Sequence, residues 1–530
     1  MGRGLRLRRA ACFVGCAAAS VFVAQPALVS THSPGPAGAR SWTVYHDDPA
    51  GSGVAAGVGS VDTAARAWTS PTLDGQLYGE PLVFGDRVYV ATENDTVYAL
   101  SAATGAIAWS ARLGTAVPSK VLPCSNINPA VGITGTPVID RARHEIFVVA
   151  DELVNGRPAH MLVGLNTASG QVELSQDVDP PGQAPADILQ RTGLTLDDGG
   201  VYFGFGGNAE DCGTYRGRLA SVPESGGTPR FFTVDARAGE SQGAIWMGGA
   251  APAVDANGDL WVATGNGSVS SNKRAYDNSD AVLEISPSLR LLQFFAPANW
   301  RVNNSDDLDM TTEPVLLPDG QVIAAGKSQV VYLLNGRHLG GIGKQQAELS
   351  PACGTNIDGG SAHVGMTVYL PCLSGIIAVK ATSSPPALRL LWSSGVGGGP
   401  PIVAGGLVWT IGQGGRLYGL DPAAGKIRQK VAIGPPANHF PTPGIGAGLM
   451  LATSARNVIA FRTSAASAGR AAGATRSAAQ GSHHHPPPGP PSGRTIAEIV
   501  LACLVAIGAF GWLAWLIRKR RRIYGGYRAR

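Results

Sequence analysis

The chain is poor in charge. Asp, Glu, Lys and Arg supply only 15% of its 530 residues, and lysine is scarce beside arginine, 8 against 34. Cysteine is scarce too: there are seven, and none stands in a CxxC spacing. That argues against a zinc ribbon or a thioredoxin-type redox centre. No Gly-X-Y period runs through the 72 glycines, which excludes a collagen-like rod. Positive charge is confined to the ends. Residues 1–9 hold four arginines, and residues 518–530 hold seven basic residues, with no acid in either stretch. Removing those eleven charges from the net +5 leaves the body at −6. A body of that sign argues against nucleic acid as a partner.

The ends read as membrane addresses. Arg3, Arg6, Arg8 and Arg9 precede an apolar stretch from Ala10 to Ala24, and small residues follow at Ala24 to Ala27. This predicts a signal peptide over 1–30. Ile499 to Ile517 is 19 residues without a charge, followed at once by Arg518 to Arg522. That run predicts a transmembrane helix over 495–517 and a basic cytoplasmic tail over 518–530. The expected arrangement is a single-pass protein of the cytoplasmic membrane. Its body lies outside the cytoplasm, it meets lipid through the C-terminal helix, and its C-terminus lies in the cytoplasm. Residues 31–64 and 464–494 read as linkers; the second is rich in Ala, Ser and Pro. Four cysteines fall in the body, and an even number in an oxidising compartment suggests two disulfides. Cys353 with Cys372, close in sequence, is the favoured pair, leaving Cys124 with Cys212.

The body repeats. Pro81 to Ala91 is a strand, a tight turn and a strand; Thr96 to Leu100 is a third strand, and Ala106 to Arg112 a fourth. β-Branched and aromatic residues come in short runs cut by Gly, Asn and Asp, and no helical period competes. Similar units begin near residues 79, 131, 190, 246, 310, 359, 398 and 438. Repeats of this length and strand count predict an all-β propeller over 65–463. The count gives eight blades, with seven as the alternative. The last unit reaches only its third strand, at Asn457 to Phe461. The spare strand at Ala65 to Ser70 can complete it and lock the ring.

The segments Leu100 to Trp109 (LSAATGAIAW) and Leu420 to Lys426 (LDPAAGK) resemble the pyrroloquinoline quinone (PQQ) repeat. That repeat builds quinoprotein alcohol dehydrogenases and also a non-enzymatic outer-membrane assembly lipoprotein. Four stretches resemble dehydrogenase site loops. Trp261 to Ser268 resembles the loop carrying a calcium-binding asparagine, which implies Asn266. Asn208 to Asp211 resembles the loop carrying a calcium-binding glutamate, which implies Glu210 or Asp211. Asp306 to Asp309 resembles the segment of the catalytic aspartate, which implies Asp306 as base and metal ligand with Asp309 beside it. Gly326 to Tyr332 resembles the strand whose basic residue touches the quinone, which implies Lys327. Gly248 or Gly249 falls near the family's stacking tryptophan, with Trp246 offset as the cofactor-binding candidate. The family's adjacent cysteine pair has no counterpart.

Two readings of function follow. The first is a membrane-anchored propeller that binds a small-molecule ligand or an envelope protein. The second is a dehydrogenase oxidising an alcohol or sugar with PQQ and Ca²⁺. In the second, the side chains of Glu210 or Asp211, Asn266, Asp306 and Lys327 should converge on one mouth of the central channel.

Overall fold

The computed structural model describes residues 40–269 and 275–465, and for Glu210 the backbone alone. Its building rule shows in the first sheet. Leu82–Phe84, Arg87–Ala91, Thr96–Ser101 and Ile107–Arg112 pair antiparallel in chain order. Their turns are short and carry residues that accept positive φ, such as Gly85 and Asp95. Burial falls from the middle strands to the outer one. Thr96–Ser101 is almost wholly buried, whereas Ile107–Arg112 alternates between half-buried and exposed. A sheet buried on both faces needs a neighbour on each side, and a closed ring supplies both.

Eight such sheets follow one another among the described residues. Their inner strands are Leu82–Phe84, Val138–Asp140, Thr195–Asp197, Ala253–Val254, Val315–Leu316, Ala362–Val364, Ile402–Ala404 and Gly444–Gly446. We call the sheets blades 1 to 8 in that order. The fold is thus an all-β propeller of eight blades. The eighth blade borrows its outer edge from the start of the body. Trp68–Thr69 and Val58–Val61 both pair with Asn457–Ala465, so the ring closes on the spare strand expected from the sequence.

Neighbouring blades are joined by a repeated dock. Trp68, Trp109 and Trp392 lie on outer strands, and each covers a turn glycine of the next blade: Gly105, Gly170 and Gly425. A Cβ on these glycines would fall 2.4–2.5 Å from an indole carbon. Their φ angles of 72°, 73° and 66° also favour glycine. Each indole Nε1 donates to a turn carbonyl of the same neighbour: Ala102, Thr167 and Pro422, at 2.8–2.9 Å.

Residues 40–64, read above as linker, are docked on the ring. Trp42 exchanges two backbone hydrogen bonds with Val83, and the carbonyls of Thr43, Pro49, Ser52 and Gly53 accept from Ile139, Val254, His363 and Val403. These partners lie on or beside the inner strands of blades 1, 2, 4, 6 and 7. The strap therefore crosses the central channel. Tyr45 and His46 are buried and stacked there, with ring centroids 4.2 Å apart.

Both expected disulfides are present, Cys124–Cys212 and Cys353–Cys372. The expectation of a single-pass membrane protein is corrected: among the described residues, no helix is long and apolar enough to cross a membrane. The segments that prompted it, 1–30 and 495–530, lie outside the described residues, as do residues 466–494.

The indole docks can be tested by urea unfolding. Trp109→Phe should cost about 1 kcal/mol, the net worth of one hydrogen bond. Gly170→Ala should cost more, because it adds left-handed backbone strain and displaces the indole. Equal midpoints for Gly170→Ala and wild type would contradict the dock.

Candidate functional site

Residues just before the inner strands line the channel, next to Glu80, Gly360 and Thr442, which bond His46 and Tyr45 of the strap. There they enclose a cavity of about 550 Å³, within the range of small-molecule sites. Tyr78, Arg191, Trp246, Lys327, Asp358 and Phe440 are among its lining residues, drawn from six blades.

Blades 3, 4 and 5 bring a polar cluster to its edge. The short helix Trp300–Asp306 precedes blade 5 and ends at Asp307, whose left-handed φ of 55° turns the chain. Asn304, on the last turn, ties the helix to the loop of Asn266. It accepts from Gly267 N–H at 2.9 Å, and its amide donates to Val269 O at 2.8 Å and Ser279 Oγ at 2.9 Å. Asp309 follows and is buried. Its Oδ1 accepts the Asn266 N–H at 2.5 Å, and its Oδ2 lies 2.5 Å from Lys327 Nζ. Lys327 also donates to Asp307 Oδ1 at 2.9 Å. From blade 3, Asp211 accepts the Tyr215 hydroxyl at 2.5 Å, and the Asn266 side chain helps to lower its pKa. The Cys124–Cys212 bridge pins the loop beside Asp211.

The electrostatics follow from burial and pairing. Burial raises the Asp309 carboxyl to about 6 from its ordinary 3.8, and Lys327 holds it from rising further. Burial alone would lower Lys327, but Asp309 and Asp307 outweigh it and hold the ammonium above its ordinary range. Asp211 is raised by burial and pulled back by the Tyr215 hydroxyl. Burial also raises Asp358. At neutral pH the centre is a paired Asp309–Lys327 ion pair with oxygen donors beside it.

The structure brings Asp211, Asn266, Asp309 and Lys327 together, and places Trp246 on the cavity wall. Asp306 is different. It is exposed at the end of the helix, and Asp307 and Asp309 take the contacts expected of it. Sequence reading missed Asp307, Asp358 and Arg191. Arg191 and Asp358 sit just ahead of inner strands, a position that also lines the cavity in blades 1, 4, 5 and 8. Aligning the eight units on that position would have exposed them. An acidic triad lies elsewhere: carboxylate oxygens of Asp255, Asp259 and Glu284 come within 4.8 Å of one another. Asp255 there accepts from Asn257 N–H, Asp259 N–H and Trp261 Nε1, as a turn-capping residue does.

A closed ring of eight blades of four or five strands with a polar cavity on its axis defines a quinoprotein-like propeller. The protein resembles the PQQ-repeat quinoprotein dehydrogenases and the assembly-factor family BamB. Residues 36–279 match a family model described as "Outer membrane protein assembly factor BamB". A polyvinylalcohol dehydrogenase of Sphingopyxis sp. (strain 113P3) is 25% identical over 346 residues, 55% of this chain. Those residues span about half, 49%, of that curated relative. Among solved structures, a europium-containing methanol dehydrogenase superposes with a TM-score of 0.58 at 14% identity, covering 81% of this chain and 91% of its own. The quinohemoprotein alcohol dehydrogenase of Comamonas testosteroni gives 0.57 at 14%, covering 84% and 83%. At these identities the superpositions establish the fold.

The raised Asp309 carboxyl predicts a pH dependence of stability. The fold favours its protonated form, so its contribution is complete below its ordinary 3.8 and is lost as pH rises through about 6. Asp309→Asn should flatten the stability decline across that window in urea unfolding series. An unchanged pH profile would show that Asp309 does not titrate there.

Proposed function

We propose that the axial cavity is a ligand site and that the protein is an oxidoreductase of the quinoprotein kind, acting on an alcohol or sugar. The observation that carries this reading is the buried Asp309–Lys327 pair, held beside Asn266 and Asp211 at the cavity edge. The residues suit a PQQ and Ca²⁺ pair. Asp211, Asn266 and Asp309 offer the hard oxygen donors calcium takes, with Glu210 as a further candidate on the same loop. Trp246, Tyr78 and Phe440 give flat apolar walls for a planar cofactor. When bound, the quinone supplies a two-electron sink and the cation supplies Lewis acidity.

The rest of the work belongs to this chain. Asp309, rather than Asp306, is assigned the role of base, because it is buried and poised near 6. A carboxylate poised there is ionised at pH 7 yet able to take a proton from a substrate hydroxyl. Lys327 keeps it ionised and orients it through Oδ2. The Asn266 N–H fixes Oδ1. Asn304 holds the helix and loop in register, so the base does not drift.

A second reading is a scaffold for envelope proteins, and the match of residues 36–279 to the assembly-factor family favours it. The two separate in one experiment. Full-length protein is mixed with PQQ and Ca²⁺, and cofactor retention and dye reduction are followed with a panel of alcohols and sugars. The dehydrogenase reading expects retention in wild type. It also expects Asp309→Asn to retain the cofactor while dye reduction falls at least about 100-fold. Failure of wild type to retain PQQ overturns that reading and leaves the scaffold.

A further inference from the structure

Arginine side chains in a folded core normally find an acceptor for their five N–H groups. Even the exposed Arg143 and Arg237 have a partner, with the buried Glu145 and Glu240 beside their guanidinium groups. Lys327 follows it too, since Asp307 and Asp309 answer its charge. Arg191 does not. It is only 8% exposed, and among the described residues its guanidinium has no hydrogen bond and no ion pair. What surrounds it is aromatic and backbone. Its Cζ lies 5.9 Å from the Tyr78 ring centroid and 5.2 Å from that of Phe440. Gly249 closes from another side, where a Cβ would fall 2.6 Å from Nη1. The acid of opposite charge that Arg191 feels is Glu93. Glu93 is spent elsewhere: its Oε2 accepts the Gly132 N–H at 2.8 Å and the Thr134 hydroxyl at 3.1 Å.

A buried guanidinium held by ring faces has its N–H edge left for something not in the chain. The cavity that Arg191 lines is the space that edge can reach. Guanidinium edges bind planar anions, and carboxylate matches their fork geometry. Tyr78, Trp246 and Phe440 line the same cavity and favour a flat aromatic body. We infer that the axial cavity takes a planar aromatic carboxylate and that Arg191 is the anchor for its carboxylate group. This rests on the reading of the cavity as the ligand site. It shifts the task of anion recognition from Lys327, whose charge is already answered, to Arg191.

The test compares charged and esterified probes on the full-length protein. Titration calorimetry is run with PQQ, PQQ trimethyl ester, naphthalene-2,6-dicarboxylate and its dimethyl ester. Wild type should bind the free acids more tightly than the esters. Arg191→Gln should weaken the free acids roughly 10- to 100-fold, the range for a lost charge-assisted hydrogen bond, and leave the esters nearly unchanged. Arg191→Lys should fall between. The melting temperature of ligand-free Arg191→Gln should not drop, because the change removes an unanswered buried charge, while its ligand-induced shift should vanish. Binding of naphthalene-2,6-dicarboxylate through Arg191 without binding of PQQ supports the anchor and counts against the quinoprotein reading. Equal binding of acids and esters overturns the anchor and leaves that reading standing. Absence of binding by every free acid overturns the anchor.

Discussion

Each tryptophan dock joins two blades by two means at once. The indole face lies on a glycine whose missing side chain makes room for it, and the indole N–H binds a carbonyl of the same turn. The two contacts fix both the spacing and the tilt between sheets. A ring of separate sheets closes only if those small rotations add up to a full turn, and the dock acts as a gauge at three of the eight junctions, between blades 8 and 1, 1 and 2, and 6 and 7. The channel's width is set by how far the blades lean, and the cavity is the space that lean leaves behind.

The axial site shows how a scaffold of this kind turns topology into chemistry. Each inner strand brings the residue before it to the same ring around the axis. A charged residue there is buried by position rather than by choice, and its ordinary solvation is taken away. Asp309 meets that condition with Lys327 and the Asn266 amide. Asp211 meets it with the Tyr215 hydroxyl. The pairs convert a cost of burial into fixed orientation, because each partner spends its bonding on one geometry.

The repeat was legible because it is written eight times. Strand, turn, strand and glycine recur at similar spacing, so the blade count, the closing strand near Trp68 and both cysteine pairs could be read from the chain. The strap at residues 40–55 was not legible. Its hydrogen bonds are scattered over five blades, so no local period marks it. The sequence reading put Asp306 first with Asp309 beside it, because the turn that ends the short helix decides which of the acids is buried. That turn depends on the left-handed Asp307 and on Asn304, both tertiary matters. Arg191 carries no motif at all. Its meaning comes from what it lacks in space.

The eighth blade holds residues near 60 and near 460 in one sheet. A contact of that sequence separation pays almost the largest loop-closure entropy the body can offer. During synthesis the early strand must wait, unpaired, until nearly the whole body has been made. The docking of Asn457–Ala465 on that strand is a closure between the two ends of the body, the kind of non-local contact that slows folding. Until it happens, blade 8 presents an open edge, the kind of surface on which growing chains pair wrongly.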